Sequence, residues 1–153
     1  MLVWLRARRP PSAGPAICHG DFHPQNVLVE HGRATGVLDW PNALVAEPAF
    51  DVASTFNILR FVPVGLTSMP AAVRWIVRVA QPLLARGYLA AYRRRRPIDD
   101  PRLAYYRVAA ALRALVRAAE TQRGLAGAPT GLDASAYAAR LLAYARRVVE
   151  QTR

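Results

Sequence analysis

Lysine is absent from the 153 residues, and cysteine occurs once, as Cys18. A single cysteine excludes an internal disulfide and is typical of proteins in a reducing cytosol. The sequence also lacks any run of about eighteen apolar residues, which a membrane-spanning helix would require. Residues 1–15 have no central apolar segment of the kind found in signal peptides. We therefore expect a cytoplasmic protein that has no membrane partner.

Acidic residues are scarce, at 10 against 21 arginines, and the formal net charge is +11. A basic chain raises the question of nucleic-acid binding. However, the arginines are spread at helical spacings, and neither zinc-finger spacing nor an RNA-binding aromatic motif occurs. We therefore do not expect nucleic acid to be the main partner.

The pattern of apolar and turn-forming residues predicts short strands in the first third of the chain and helices after it. Strands are expected at 16–18, 27–30 and 34–39. The last two form a hairpin through a three-residue turn, His31 to Arg33. Residues 40–50 are expected to be a loop. Helices are expected at 2–9, 51–59, 71–95, 99–123 and 133–149.

The chain is therefore predicted to be a single domain, 1–153, of the α+β class and mainly α. Its front part, 16–40, carries the hairpin, and its second part, 50–153, is a bundle of helices. Two helix starts are marked by polar residues. Asp51 is an N-cap or first-turn residue, and Asp99 or Asp100 precedes a proline in the first turn of a later helix.

The hairpin brings two oxygen-bearing side chains to its open end. Asn26 and Asp39 are six and seven residues from Gly32 at the turn, and equidistant residues of an antiparallel hairpin lie side by side. One amide oxygen and one carboxylate, with water and phosphate oxygens, are ligands that Mg²⁺ prefers. Asp21 lies on the loop that leads to Asn26. The sequence therefore predicts a magnesium site with a separate carboxylate beside it.

This arrangement is typical of phosphoryl transfer, in which one aspartate orients the attacking hydroxyl while others hold metal on the phosphates. The catalytic loop of protein kinases, H-R-D-x-x-x-x-N, has the same spacing between aspartate and asparagine. Here the corresponding residues run from His19 through Asp21 to Asn26.

Three motifs in order, "HGDFHPQNVLV", "GVLDW" and "EPAFDVA", make the chain resemble the aminoglycoside phosphotransferase and choline kinase group, small-molecule kinases of protein-kinase-like fold. The resemblance implies ATP and Mg²⁺, and a small molecule whose hydroxyl is phosphorylated. It implies that Asp21 is the catalytic base and that Asn26 and Asp39 bind the metal of the nucleotide complex. It also implies that Asp51 braces the catalytic loop and that His19 supports it structurally.

The resemblance covers only the C-terminal lobe of such a kinase, and we expect the N-terminal lobe to be absent from this chain. In relatives, that lobe carries strands over the nucleotide and a lysine that pairs with its phosphates, and this chain has no lysine. Arginine is a poor substitute because its planar guanidinium is bulkier. We therefore expect little turnover by these 153 residues alone, unless upstream sequence or another chain supplies the lobe. The alternative is a non-catalytic, degenerate kinase lobe that serves in binding or interaction.

The substrate that the resemblance suggests is in conflict with the charge of the chain. Kinases of polycationic aminoglycosides usually offer an acidic pocket, and many relatives carry acids where Pro41 and Asn42 follow Asp39 here. Seven acidic residues remain once Asp21, Asp39 and Asp51 are set aside, against 21 arginines. An aminoglycoside is therefore not the expected substrate, and a neutral or anionic hydroxyl compound fits better.

Three further residues carry expectations about burial rather than chemistry. Cys18 is expected to be a small buried side chain. Glu47 is expected to be exposed to solvent, and Trp40 to lie in the core.

Overall fold

Two small antiparallel sheets and five helices make up residues 1–61, 70–123 and 134–152, the part of the chain that the computed structural model describes. The strands are β1 (Ala16–Cys18), β2 (Val27–Glu30), β3 (Arg33–Val37) and β4 (Leu44–Ala46). The helices are α1 (Leu2–Ala7), α2 (Pro48–Phe61), α3 (Ala71–Arg95), α4 (Asp100–Gln122) and α5 (Ala134–Gln151). The predicted α+β class with mainly α content is therefore confirmed. None of the described helices combines the length and the apolar character needed to cross a membrane.

Helix α4 is the centre of the helical part, since it packs against both α2 and α5. Its buried face carries small or branched side chains, and Val108 and Ala111 are fully buried. On α5, Leu141 and Ala145 are also fully buried and pack in the same cluster as Ala111. Small residues at facing positions let the helices approach closely, which explains how an alanine-rich sequence forms a dense core.

The bounds of the later helices agree with the sequence pattern. Helix α3 covers the predicted 71–95, with Pro82 inside it. Helix α4 begins at Asp100 because the Asp99 carboxylate caps it, accepting a hydrogen bond of 2.7 Å from the backbone N–H of Arg102. The expected start of the last helix at Asp133 lies outside the described residues.

The β2–β3 hairpin has a tighter turn than expected. Glu30 pairs directly with Arg33, so the turn consists of His31 and Gly32 alone. Their φ values are +48° and +75°. Two successive positive φ values define the type I′ turn, whose twist matches that of the flanking strands. The prediction of a three-residue turn was therefore wrong. The additional residue of β3 is accommodated instead by a bulge, where the pairing shifts between Leu28 and Val29.

The segment 40–50, expected to be a loop, contains β4 and the start of α2. Strand β4 pairs with β1, with Ile17 opposite Val45 and Cys18 opposite Leu44. Strand β4 has only three residues and no turn signal beside it. It forms because it pairs with β1, in which Ile17 lies 28 residues before its partner Val45. Cys18 is 1% exposed, as expected. Burial, together with the nearby charge of Asp51, raises the pKa of its thiol.

Glu47 anchors this segment and is half-buried, whereas it was expected to be exposed to solvent. Its side chain is only 9% exposed, and it forms an ion pair of 2.8 Å with Arg102 of α4. Burial alone would raise the pKa of Glu47. The hydrogen bonds from the Ala13 N–H and from Arg102 outweigh this, so its pKa lies below the ordinary value of 4.5. The ion pair thus ties the start of α2 to α4 across 55 residues of chain.

The Glu47→Gln variant is expected to lose about 1–3 kcal/mol of unfolding free energy at pH 7, because Arg102 loses its ion pair with Glu47 and keeps only its contacts with Asp99 and the Pro11 carbonyl. The lowered pKa means that this contribution is fully present above the ordinary value of 4.5 and is lost as the pH falls through the folded value. Urea unfolding at pH 7 and pH 3 measures the difference. A cost that is the same at both pH values would contradict this account.

Candidate active site

The loop between β1 and β2 is held by the carboxylate of Asp51. Asp51 lies in the first turn of α2, whose first residue is Pro48 rather than Asp51 itself. Its two oxygens accept hydrogen bonds from the backbone N–H groups of His19, at 3.0 Å, and Gly20, at 2.8 Å. One side chain therefore orients two successive peptide groups directly before Asp21.

The imidazole of His19 has a structural position. It is 4% exposed, and its Nε2 lies 2.8 Å from the carbonyl oxygen of Leu38, while its Nδ1 lies 3.3 Å from the backbone nitrogen of Asp21. These contacts are compatible with the tautomer that carries its proton on Nε2. His19 thereby connects the catalytic-loop backbone to the end of the hairpin. Its ring also lies 4.7 Å from that of Trp40.

Asp21 and Asn26 are joined across the loop. The Asn26 side chain is buried, and its Nδ2 donates to the carbonyl oxygen of Asp21 at 3.0 Å. Pro24 to Asn26 form a single 3₁₀ turn, with the Asn26 N–H bonded to the His23 carbonyl. With Nδ2 occupied, Oδ1 is the atom of Asn26 that remains available as an oxygen ligand.

Asp39 lies one residue beyond the position directly opposite Asn26. The backbone N–H of Leu38 donates to the Asn26 carbonyl at 2.8 Å, which continues the ladder of Val27 and Val37 by one step. Asp39 is exposed and has a left-handed backbone, with φ of +63°. The hairpin thus brings the segments of Asn26 and Asp39 together. However, Leu38 lies opposite Asn26, where Asp39 was expected.

Trp40 does not lie in the core. It is 48% exposed, and its Nε1 donates to the Val37 carbonyl at 2.9 Å. The side chain therefore closes the turn at the end of β3 and lies against His19 rather than among buried apolar residues.

The structure adds two residues to the site that the sequence did not indicate. Asn42 donates from Nδ2 to the Asp21 carboxylate, at 3.4 Å. Arg113 of α4 reaches the carbonyl oxygens of Gly20 and Asn42, each at 3.5 Å. Arg113 is 93 residues from Gly20 in the chain, so no local pattern could have indicated it. Asn42 is only three residues after Asp39, but its role depends on how the segment folds back onto the loop.

The segment that carries Asn42 can pack against the loop only because residue 20 is glycine, since a larger residue has no room there. A Cβ atom at Gly20 would lie 2.4 Å from the Asn42 carbonyl oxygen, and the φ of Gly20 is +77°. Gly32, in the hairpin turn, has a similar φ of +75° and no atom within 4 Å of such a Cβ. Both glycines have strained backbone for other residues, but only Gly20 also has a close neighbour.

Gly20→Ala is therefore expected to cost about 2–5 kcal/mol of unfolding free energy, since backbone strain of about 1–2 kcal/mol adds to a steric clash with a backbone atom. Gly32→Ala, with strain alone, should cost about 1–2 kcal/mol. Urea unfolding of the two variants measures the difference. Equal losses would show that Asn42 does not pack against Gly20.

The donors at the site are of the type that suits a hard cation. Asn26 Oδ1 and the Asp39 carboxylate are oxygen donors on two adjacent segments, and such groups suit Mg²⁺, which binds one or two of them while keeping water and phosphate oxygens. Within the described residues, no group of three or more His, Cys, Asp or Glu side chains is placed to hold a metal. The residues therefore fit Mg²⁺ bound together with phosphates rather than a zinc-type site.

Comparison with known proteins agrees with the family resemblance seen in the sequence. The model of the phosphotransferase enzyme family, APH, matches residues 1–106. This match covers both sheets, the loop and the first three helices, and the chain therefore belongs to the aminoglycoside phosphotransferase family.

Two relatives match over shorter stretches. One is the uncharacterized protein YcbJ of Bacillus subtilis (strain 168), 51% identical over 37 residues, which are 24% of this chain and 12% of YcbJ. The other is the hygromycin-B 4-O-kinase of Escherichia coli, 32% identical over 84 residues, which are 55% of this chain and 24% of the kinase. The chain thus spans at most about a quarter of the length of these relatives. No solved structure matches it.

Proposed function

We propose that the protein is an ATP-dependent phosphotransferase that transfers the γ-phosphoryl group to a hydroxyl of a small molecule. The family match and the named activity of the Escherichia coli relative support this reaction class. Asp21 is the catalytic base, and Asn26 and Asp39 are the ligands of Mg²⁺. The observation that carries the proposal is the bonded arrangement of the loop, in which Asn26 holds the Asp21 backbone while Leu38 holds Asn26 beside Asp39.

The chain's own residues supply orientation and proton transfer. Asn42 donates to one oxygen of the Asp21 carboxylate and leaves the other oxygen for the substrate hydroxyl. As the hydroxyl attacks, its proton passes to Asp21. Mg²⁺, when bound, supplies charge neutralisation on the phosphates. Asp51 and His19 keep the loop in place through backbone contacts, so they act as positioning residues.

We further propose that residues 1–153 form one domain equivalent to the C-terminal lobe of a protein-kinase-like fold. A lysine that pairs with the nucleotide phosphates would have to come from outside this sequence, which contains none. We therefore expect the 153-residue chain by itself to turn over little ATP. Cytoplasmic location and a soluble small-molecule acceptor are parts of the same proposal.

The metal site can be tested on the chain directly, with Mn²⁺ as a paramagnetic substitute for Mg²⁺. In the presence of ATP, Mn²⁺ is expected to broaden the amide signals of Asn26 and Asp39 before those of the turn at Gly32. Asp39→Ala should abolish this selective broadening, whereas Glu30→Ala, which removes an exposed carboxylate of the same hairpin, should not. Broadening centred elsewhere, or unchanged in Asp39→Ala, would refute the site.

A further inference from the structure

Two arginines from different helices lie on the ring of Phe61, at the end of α2. The Arg60 guanidinium carbon is 5.2 Å from the ring centroid, and that of Arg140, on α5, is 6.0 Å from it. Phe61 itself is 4% exposed. The two charged groups therefore share one aromatic platform, although each repels the other.

The positive charge of a third arginine, Arg78 on α3, also acts on Arg140. Burial lowers the pKa of Arg140, and the positive charges of Arg60 and Arg78 lower it further. Neighbouring positive charges lower the pKa of an arginine because they disfavour its charged form. We call Arg60, Arg78 and Arg140 the arginine cluster.

No described carboxylate neutralises the arginine cluster. The arginine ion pairs found among the described residues involve Arg93 and Arg102, and their acids are Glu47, Asp99 and Asp100. Asp21, Asp39 and Asp51 belong to the candidate active site. The cluster thus carries positive charge that the described part of the chain leaves unbalanced.

Packing contacts link the core under the arginine cluster to the loop that carries Asp21. Tyr137, one helical turn before Arg140, packs in the same core cluster as Phe61 and Ala111 of α4. Two residues after Ala111, Arg113 contacts the carbonyl of Gly20, next to Asp21. Burial raises the pKa of Tyr137 to about 12, and the negative charge of Asp21 contributes to this. Tyr137 is thus electrostatically coupled to the proposed base.

We propose that the arginine cluster binds an anionic group, a phosphate or a carboxylate, of the acceptor whose hydroxyl is presented to Asp21. This inference rests on the proposed function. Guanidinium groups bind such oxyanions through paired, charge-assisted hydrogen bonds. The acceptor class is therefore a small hydroxylated phosphate or carboxylate, and a polycationic aminoglycoside is disfavoured by like-charge repulsion.

The reaction on such an acceptor balances without a further reactant. The acceptor oxygen forms a bond to the γ-phosphorus, and the bond from that phosphorus to the β–γ bridging oxygen breaks. ADP leaves with the electron pair, and the hydroxyl proton passes to Asp21. The arginine cluster takes no part in these bond changes and only holds the acceptor.

The cluster can be tested by binding alone, in the absence of nucleotide and metal. Glycerol 1-phosphate and glycerate serve as probes for the two anionic groups, with glycerol as the neutral control. Calorimetry gives the affinity, and the Nε–Hε signals of the arginines report the site. The double variant Arg60→Gln/Arg140→Gln is expected to bind at least one of the two anions about tenfold more weakly.

The matched control is Arg33→Gln/Arg117→Gln, which removes the same charge from two exposed arginines on the hairpin and on α4. It should leave the affinity nearly unchanged. Equal losses in the two double variants would show attraction by net charge only, and no loss in either would place the anion elsewhere; each result overturns the proposal. If Arg60→Gln perturbs folding, the exposed Arg78→Gln tests the same cluster, with a smaller loss expected.

The test separates this inference from the proposed function. Anion binding that depends on the arginine cluster, found together with a failed Mn²⁺ experiment, would refute the metal site and leave the anion site standing. Tight binding of kanamycin through the same residues would refute the acceptor class. A preference for an oligonucleotide over the small anions, lost in Arg60→Gln/Arg140→Gln, would refute it as well.

Discussion

Asp21→Ala is expected to lower kcat for phosphoryl transfer by about 10²–10⁴-fold and to leave the affinity for the magnesium–nucleotide complex unchanged. The reduction is that typical of removing a positioned general base. Affinity should persist because the Asp21 carboxylate, which accepts a hydrogen bond from Asn42, is proposed to receive the acceptor proton and not to hold the metal. The measurement is transfer from radiolabelled ATP by this chain joined to an N-terminal lobe that supplies the nucleotide-binding lysine, with nucleotide binding followed separately by calorimetry.

Asp39→Ala is the complementary variant, expected to weaken magnesium–nucleotide binding as well as transfer, since it removes the metal ligand. Glu30→Ala, at the far end of the same hairpin and exposed, should change neither quantity. If Asp21→Ala and Asp39→Ala weakened nucleotide binding equally, the roles assigned to the two aspartates would be wrong. If Asp21→Ala retained full turnover, Asp21 would not be the base.

Asp51→Ala should destabilise the fold by about 3–6 kcal/mol. The carboxylate accepts two backbone hydrogen bonds, from His19 and Gly20, and bonds to a charged acceptor contribute about 1.5–3 kcal/mol each. In the variant, the backbone N–H groups of His19 and Gly20 would each lose their acceptor. Urea unfolding followed by circular dichroism measures the loss of stability, and turnover should fall because the Asp21 backbone is no longer held.

Two variants separate the effect of Asp51 from a general effect of charge. Glu120→Ala removes an exposed carboxylate of α4 and should change the stability by less than about 0.5 kcal/mol. Asp51→Asn retains one accepting oxygen and should give an intermediate loss. An Asp51→Ala protein as stable as the wild type would show that the loop is held mainly by His19 and Arg113.

Features that depend on neighbours in sequence were predictable without the structure. The start of α4 is decided by the aspartate cap and the following proline, Asp99 and Pro101, which act within one helical turn. The spacing of Asp21, Asn26 and Asp39 around one hairpin is likewise local, and it was enough to indicate the family. The magnesium and base roles of these residues stay predictions until the variants are measured.

Features that depend on distant contacts were missed or wrongly predicted. Strand β4 forms only because β1 is placed beside it, and Glu47 is half-buried because Arg102 reaches it from α4. Trp40, expected in the core, is held against the loop by its bonded Nε1. In each case the deciding partner is either remote in the chain or a backbone atom whose position follows from the fold.

By itself, the sequence determined the phosphotransferase motifs, the mainly helical class and the limits of α3 and α4, because turn chemistry, caps and short spacings act over a few residues. Only the tertiary structure decided that Asn42 contacts Asp21, that Arg113 contacts the neighbouring Gly20, and that arginines of two helices lie on Phe61. Those contacts arise when separate helices pack around α4, and their energies are those of charges and backbone groups brought together by the packing. Asn42 and Arg113 beside the proposed base, and the arginines proposed to select the acceptor, therefore became visible only in the folded chain.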